Sequence, residues 1–141
     1  MRVFNRAHAR AVALADSLRA RLRDAPLSAH PLDELRSQLD SDNVGLIVNA
    51  TPVGMWPHVD ESPWPADAPI PPAATVYDLV YRPARTRLLQ DAEAAGARAI
   101  GGIGMLVRQG VASFAMWTGH APPVDVMMEQ LTRKHESAGT R

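Results

Sequence analysis

The sequence predicts an α/β fold built on an open parallel sheet, and three observations carry that prediction. Short apolar runs at residues 2–4, 44–48, 75–80 and 97–100 alternate with stretches whose apolar residues recur at helical spacing. That alternation is the order of a parallel sheet with helical crossovers. Leu46, Ile47 and Val48 have no polar residue between them, so they read as a central strand buried on both faces. The chain of 141 residues is about one domain long, enough to bury a core.

The elements follow in order. Arg2-Val3-Phe4 reads as a strand already in progress, with no lead-in residues, an uncommon start for a natural domain. From Ala7, the positions Ala11, Leu14, Ala15, Leu18 and Leu22 predict an amphipathic helix to about Arg23, and Pro26 bars its continuation. A brief extended piece at 27–29 leads to a second predicted helix, with Pro31 in its first turn and Leu32, Leu35 and Leu39 on one face. Residues 40–43 are a turn cluster before the strand that begins at Val44.

That strand stops at Asn49 and enters a turn of small residues. Pro52 biases Thr51 away from the α region, and Gly54 allows backbone angles that a side chain forbids. Open parallel sheets bind ligands beyond the carboxyl ends of their strands, which puts Asn49, Thr51 and the Gly54 backbone at a ligand position. The same residues also fit an ordinary tight turn in which Asn49 bonds its own backbone.

Residues 56–74 carry prolines at 57, 63, 65, 69, 71 and 72, so a long ordered loop or flap is expected there. A strand at 75–80 follows. Pro83 can then open a helix to Ala95, with Gly96 as its cap, and a short strand occupies 97–100. Residues 104–118 are apolar nearly all round, which predicts a helix buried on most sides; Arg108 can snorkel to water, while a buried Gln109 needs partners for its amide. Pro122 and Pro123 open a last amphipathic helix bearing Val124, Met127, Met128 and Leu131, and the tail from Arg133 to Arg141 is polar and expected to fray.

Composition narrows the function. Lys+Arg 15 against Asp+Glu 15 argues against nucleic acid or an anionic membrane as main partner. Zero cysteines exclude disulfides, thiolate catalysis and cysteine metal sites, and fit a reducing compartment. There is no 18-residue apolar run and no signal-peptide pattern, so a soluble cytoplasmic protein is expected. Charge is uneven within the chain: before residue 24, arginines at 2, 6, 10, 19, 21 and 23 stand against the single Asp16, an arrangement that suits an anion or a solvated helix face.

Asn5 and Arg6 end the first strand, and Arg10 follows one helical turn later. At the second strand of a dinucleotide-binding fold an acidic residue favours the ribose of NAD, whereas arginine suits the 2′-phosphate of NADP. Its planar fork makes bidentate, charge-assisted bonds to phosphate.

Four motifs, at residues 5–7, 49–55, 77–83 and 102–109, stand in one order and together resemble the carboxyl-terminal, NADP-binding part of the shikimate dehydrogenase family. Asn5-Arg6-Ala7 is similar to its Asn-Arg-Thr motif, and residues 49–55 to its Asn-Ala-Thr-x-x-Gly-Met motif. Residues 77–83 resemble Tyr-Asp-x-x-Tyr-x-Pro, and residues 102–109 resemble Gly-x-Gly-Met-Leu-x-x-Gln. The resemblance implies an incomplete Rossmann-like, doubly wound parallel sheet with helices on both faces over residues 1–132, followed by a polar tail at 133–141. It implies that Asn5, Arg6 and Arg10 hold the 2′-phosphate of NADP, and that Asn49, Thr51, Leu79, Gly102 and Met105 line the nicotinamide side. Tyr81 and Gln109 would contact the shikimate carboxylate or hydroxyls. The implied reaction is reversible hydride transfer between NADPH and 3-dehydroshikimate, a step toward chorismate and the aromatic amino acids, with no metal required.

The departures from the pattern are specific. Ala7 stands for a threonine, and Gly101 stands where an aspartate often precedes the second glycine motif. The Gly-rich pyrophosphate turn has no counterpart, because the chain starts at what should be the second strand. Gly101-Gly102-Ile103-Gly104 follows the last strand and lacks the required spacing. The family's catalytic lysine and aspartate belong to an amino-terminal domain with no counterpart here, so no catalytic residue is expected in this chain. The alternatives are a non-catalytic relic or nucleotide-binding module, or a quinate/shikimate dehydrogenase using NAD, against which Arg6 argues. Strand edges left open without the first strand predict poor solubility or self-association, for instance as a homo-oligomer.

Overall fold

The computed structural model describes residues 1–19, 21, 22, 25–39 and 44–138, the last five by backbone alone. The turn cluster expected at 40–43, the end of the first helix at Arg23 and the last residues of the tail, 139–141, lie outside the described residues. The chain divides into two compact units, Met1–Asp40 and Ser41–Arg141.

In the first unit, β1 (Arg2–Asn5) pairs in parallel with β2 (Ser28–Pro31), from Arg2 opposite Ser28 to Asn5 opposite Pro31. The crossover is α1 (His8–Arg19), which packs on both strands. Ala11 and Ala15 are fully buried, their small side chains letting the helix sit close to the sheet. Leu14, expected on the buried face, is 48% exposed, because a two-stranded sheet covers only a narrow stripe of a helix. The expected second helix is a single 3₁₀ turn, Leu32–Glu34, after an extended Pro31. Of its three leucines only Leu35 is buried, too little apolar cover to hold a longer helix.

The second unit holds β3 (Leu46–Asn49), β4 (Thr75–Asp78) and β5 (Arg98–Ile100), all parallel, in the order β3-β4-β5. The fold is thus α/β with parallel strands throughout, and the strands form two sheets. β4 is central, with Val76 and Asp78 completely buried. Among the described residues β3 pairs only with β4, and it departs from the expectation of burial on both faces. Leu46 is 61% exposed and Val48 is exposed beside it, while Ile47 and Asn49 face inward with the two-residue period of a strand.

The crossover from β4 to β5 is α2 (Arg87–Ala94), which packs on both strands through Leu88, Leu89 and Ala92. It opens four residues after Pro83, because Thr86 caps it: the Thr86 hydroxyl accepts the Leu89 N–H. Gly96 follows the helix at φ 79°, the left-handed geometry expected of it.

α3 (Ile103–Thr118) and α4 (Val124–Ala138) pack against each other. α3 is not buried on most sides: among its residues only Val107 is buried, and Trp117 is 83% exposed. Its apolar residues surround the helix, whereas α4 lies on one side of it. Gln109 is exposed too, so its amide meets no demand from burial. α4 continues to Ala138, through the polar residues where a frayed tail was expected.

The proline-rich stretch is irregular but internally bonded. Trp64 is buried and its indole N–H donates to the Ala68 carbonyl at 2.9 Å, beside buried Ala68, Ile70 and Ala74. The Trp56 N–H donates to the Arg82 carbonyl at 2.9 Å, and the Arg82 guanidinium lies 4.9 Å from the centre of the Trp56 ring. Among the described residues, no helix is long and apolar enough to cross a membrane.

Candidate functional site

Most of the sequence-predicted residues fall at or just beyond the carboxyl ends of strands, in both units, while Arg10 lies on α1 and Met105 and Gln109 on α3. In the first, Asn5 closes β1 and its Oδ1 accepts the Ala7 N–H at 2.9 Å, which turns the chain into α1. Arg6 and Arg10 follow, both exposed. Asp16, the acidic residue of α1, pairs with Arg19, and neither Arg6 nor Arg10 has an ion pair among the described residues. Two guanidinium groups therefore stand in water beside the strand end, a chemistry that suits a phosphate.

In the second unit the turn after β3 is organised by Asn49, which is 4% exposed. Its Oδ1 accepts both the Thr51 N–H at 3.0 Å and the Thr51 hydroxyl at 2.7 Å. Its Nδ2 donates to the Val53 carbonyl at 3.3 Å and to Asp78 Oδ1 at 2.9 Å. Thr51 Oγ1 in turn accepts the Val53 N–H at 3.2 Å. Gly54 then takes φ 87°, and a Cβ there would stand 3.0 Å from the Glu61 carbonyl oxygen, so the turn both favours and needs a glycine.

Asp78 ends β4 with no exposed surface. Besides Asn49, its Oδ1 accepts the Val80 N–H at 3.0 Å, and its Oδ2 accepts the Thr86 hydroxyl at 2.6 Å. The carboxylate is therefore held by three neutral donors from three segments: the β3 turn, the chain beyond β4, and the cap of α2. Hydrogen bonds of this kind are what allow a carboxylate to be buried. The sequence reading gave Asp78 and Thr86 no role. A signal existed: Asp78 stands two residues after Val76 on a buried strand, so it points into the interior, and Thr86 precedes an apolar helix by the spacing of a cap.

Leu79, half-buried, donates its N–H to the Asn49 carbonyl at 3.0 Å. Gly102, the residue before α3, donates its N–H to the Val80 carbonyl at 3.2 Å. A Cβ on Gly102 would lie 2.7 Å from the Leu79 carbonyl carbon and 2.9 Å from the Val80 oxygen, so only glycine permits this approach of backbone to backbone. Asn49, Thr51, Leu79 and Gly102 are thus joined through hydrogen bonds and contact, with half-buried Met105 in the first turn of α3. Tyr81 and Gln109 are exposed. A surface hollow lined by Asp60, Ser62, Trp64, Pro65, Ala66, Arg87 and Asp91 includes none of the predicted residues, and Arg87 and Asp91 satisfy each other there at 2.8 Å.

Comparison with known proteins gives a consistent answer. Residues 102–132 match the family model described as the shikimate 5′-dehydrogenase C-terminal domain. The chain is 42% identical, over 90% of its length, to the shikimate dehydrogenase (NADP⁺) of Methanopyrus kandleri, of which it covers 43%. It is 46% identical over 96% of its length to that of Haloarcula marismortui, covering 46%. Shikimate 5-dehydrogenase of Thermus thermophilus, solved in complex with NADP(H) and shikimate, superposes with a TM-score of 0.74 at 38% identity, over 94% of this chain and 45% of that one. The chain spans under half the length of the relatives it matches.

Proposed function

This chain belongs to the shikimate dehydrogenase family, matching the carboxyl-terminal part of its members, and from that premise we propose that it is the NADP-binding part of a shikimate dehydrogenase. The reaction it serves is reversible hydride transfer between NADPH and the keto group of 3-dehydroshikimate, giving shikimate. The observation that carries the reading is the pair Arg6 and Arg10, exposed beside Asn5 and without a carboxylate partner among the described residues. Solvated guanidinium forks at a strand end fit the 2′-phosphate that distinguishes NADP from NAD. An NAD-using quinate/shikimate dehydrogenase would place an acidic residue there.

Bound NADPH supplies the hydride. The residues of this chain bind and orient. Asn5, Arg6 and Arg10 hold the phosphate; the 49–53 turn, Leu79, Gly102 and Met105 face the nicotinamide. Tyr81 and Gln109, whose exposure leaves them accessible, contact the substrate's carboxylate or hydroxyls. Holding the ring against the keto carbon is worth several kcal/mol of barrier when the reacting atoms are aligned. None of the residues named here delivers the proton that accompanies the hydride.

Calorimetric titration with NADP⁺ and NAD⁺ tests the reading. The chain should prefer NADP⁺, and Arg6→Ala should weaken NADP⁺ by roughly tenfold to a hundredfold, the loss of one or two charge-assisted bonds, while leaving NAD⁺ unchanged. Equal affinity for the two cofactors, or no binding of either, would overturn it. Tight NADP⁺ binding by a protein that turns over no 3-dehydroshikimate would leave a nucleotide-binding module.

A further inference from the structure

We propose that Asp78, acting with Thr86, is the positioning residue of the nicotinamide side, and that Asn49 relays its hold to the Thr51 turn without touching the cofactor through its amide. The inference rests on the NADP reading above and changes what one of its residues does. An asparagine side chain has two amide hydrogens and two acceptor sites on its oxygen. At Asn49 the hydrogens go to Val53 and Asp78, and the oxygen takes the N–H and the hydroxyl of Thr51. Nothing remains for a ligand unless a bond inside the protein breaks. Ala50 and Pro52 are exposed on the same turn, so what the turn can offer a cofactor is its backbone, in a shape that Asn49 imposes.

Asn49 is in turn fixed by Asp78. No cation lies within ion-pair distance of Asp78 among the described residues, and three neutral donors hold its carboxyl group. Each donor belongs to a segment that bears on the site. Asn49 sets the β3 turn; the Val80 N–H fixes the backbone against which Gly102 packs; Thr86 starts α2. Removing the charge weakens all three bonds together, because each is charge-assisted. A buried carboxylate without an ion pair is a poor stabilising device, since its desolvation offsets most of what its bonds return. Its place at the junction of three segments instead suits the task of holding a single geometry.

The test compares NADP⁺ with 2′,5′-ADP, which carries the 2′-phosphate but no nicotinamide. The unaltered chain should bind NADP⁺ more tightly than 2′,5′-ADP. Asp78→Asn, which keeps the volume and removes the charge, and Thr86→Val, which removes the donor, should each weaken NADP⁺ about tenfold and leave 2′,5′-ADP within about twofold. Thr86→Ser, which keeps the hydroxyl, should restore NADP⁺ affinity. Thermal melting monitored by circular dichroism establishes that each variant is folded; if Asp78→Asn does not fold, the comparison of Thr86→Val with Thr86→Ser decides. Equal affinity of the unaltered chain for both ligands, parallel loss on both, no loss on either, or failure of both Asp78→Asn and Thr86→Val to fold would each overturn the assignment. Absence of any binding by the unaltered chain would overturn the NADP reading itself.

Discussion

At the end of β1, Asn5 Oδ1 accepts the Ala7 N–H at 2.9 Å, and at the end of β3, Asn49 Oδ1 accepts the Thr51 N–H at 3.0 Å. The local device is the same, an asparagine side chain standing in for a turn of backbone. The surroundings differ. Asn5 is half-buried and opens onto exposed Arg6 and Arg10, while Asn49 is buried, uses its whole amide within the protein and leans on a buried carboxylate. One strand end therefore presents charge to solvent, and the other spends its polarity on its own shape. A residue type at a strand end reports that a turn is being made; whether the side chain is left over for a ligand depends on what lies across from it.

This contrast can be broken by substitution, the largest effect being expected where the second unit is tightest. Gly102→Ala should destabilise the fold by about 3 kcal/mol or more, because the new methyl would overlap backbone atoms of Leu79 and Val80 that have no rotamer to escape to. Chemical denaturation would measure it, and a loss below about 1 kcal/mol would show that the chain yields there more easily than packed backbone should. Next comes the pair Asn49→Ala and Asn5→Ala. The first strands the buried Asp78 and the half-buried Thr51 groups and should cost about 3 kcal/mol, whereas the second leaves Ala7 within reach of water and should cost about 1 kcal/mol. Equal losses from the two would erase the distinction drawn between the strand ends.

Much of the fold was legible because the signals were local. The order of the strands and of α1 to α4, the glycine after α2 and the irregular proline-rich stretch all followed from residues close in sequence. Failures came where burial depended on partners far along the chain. Leu46 and Val48 look like core residues in isolation, but they share one face of β3, and no described segment covers that face enough to bury them. The same holds for α3, whose apolar surface exceeds what α4 covers, and for Leu32 and Leu39, which lack the cover that a longer helix requires. The motif residues were legible as residues of interest, and Arg6 and Arg10 as solvated charge that would suit an anion, since charge needs no partner to be read. The partners of Asp78 were less so: its burial could be read from the strand period, but two of its three donors lie 29 and 8 residues away.

The smallest effect on stability concerns the open edges of the two sheets, where the contrast continues. β1 pairs only with β2, and β3 only with β4, so each leaves one edge unpaired among the described residues. An unpaired edge is a template for another strand, and a charged residue is the usual protection against it. β1 carries exposed Arg2, but β3 offers Leu46 and Val48, both apolar and both exposed. Association through β3 should therefore join two copies of this chain into a homo-oligomer, detectable by sedimentation velocity across a concentration series. Leu46→Lys with Val48→Lys should return the protein to a monomer at a stability change of roughly 0.5 kcal/mol or less, since neither side chain is in the core. Arg2→Leu should have the reverse effect, exposing the first edge in the way the second already is. If the unaltered chain sediments as a monomer throughout, the exposed face of β3 is tolerated without a partner, and its apolar residues must be accounted for by something other than strand pairing.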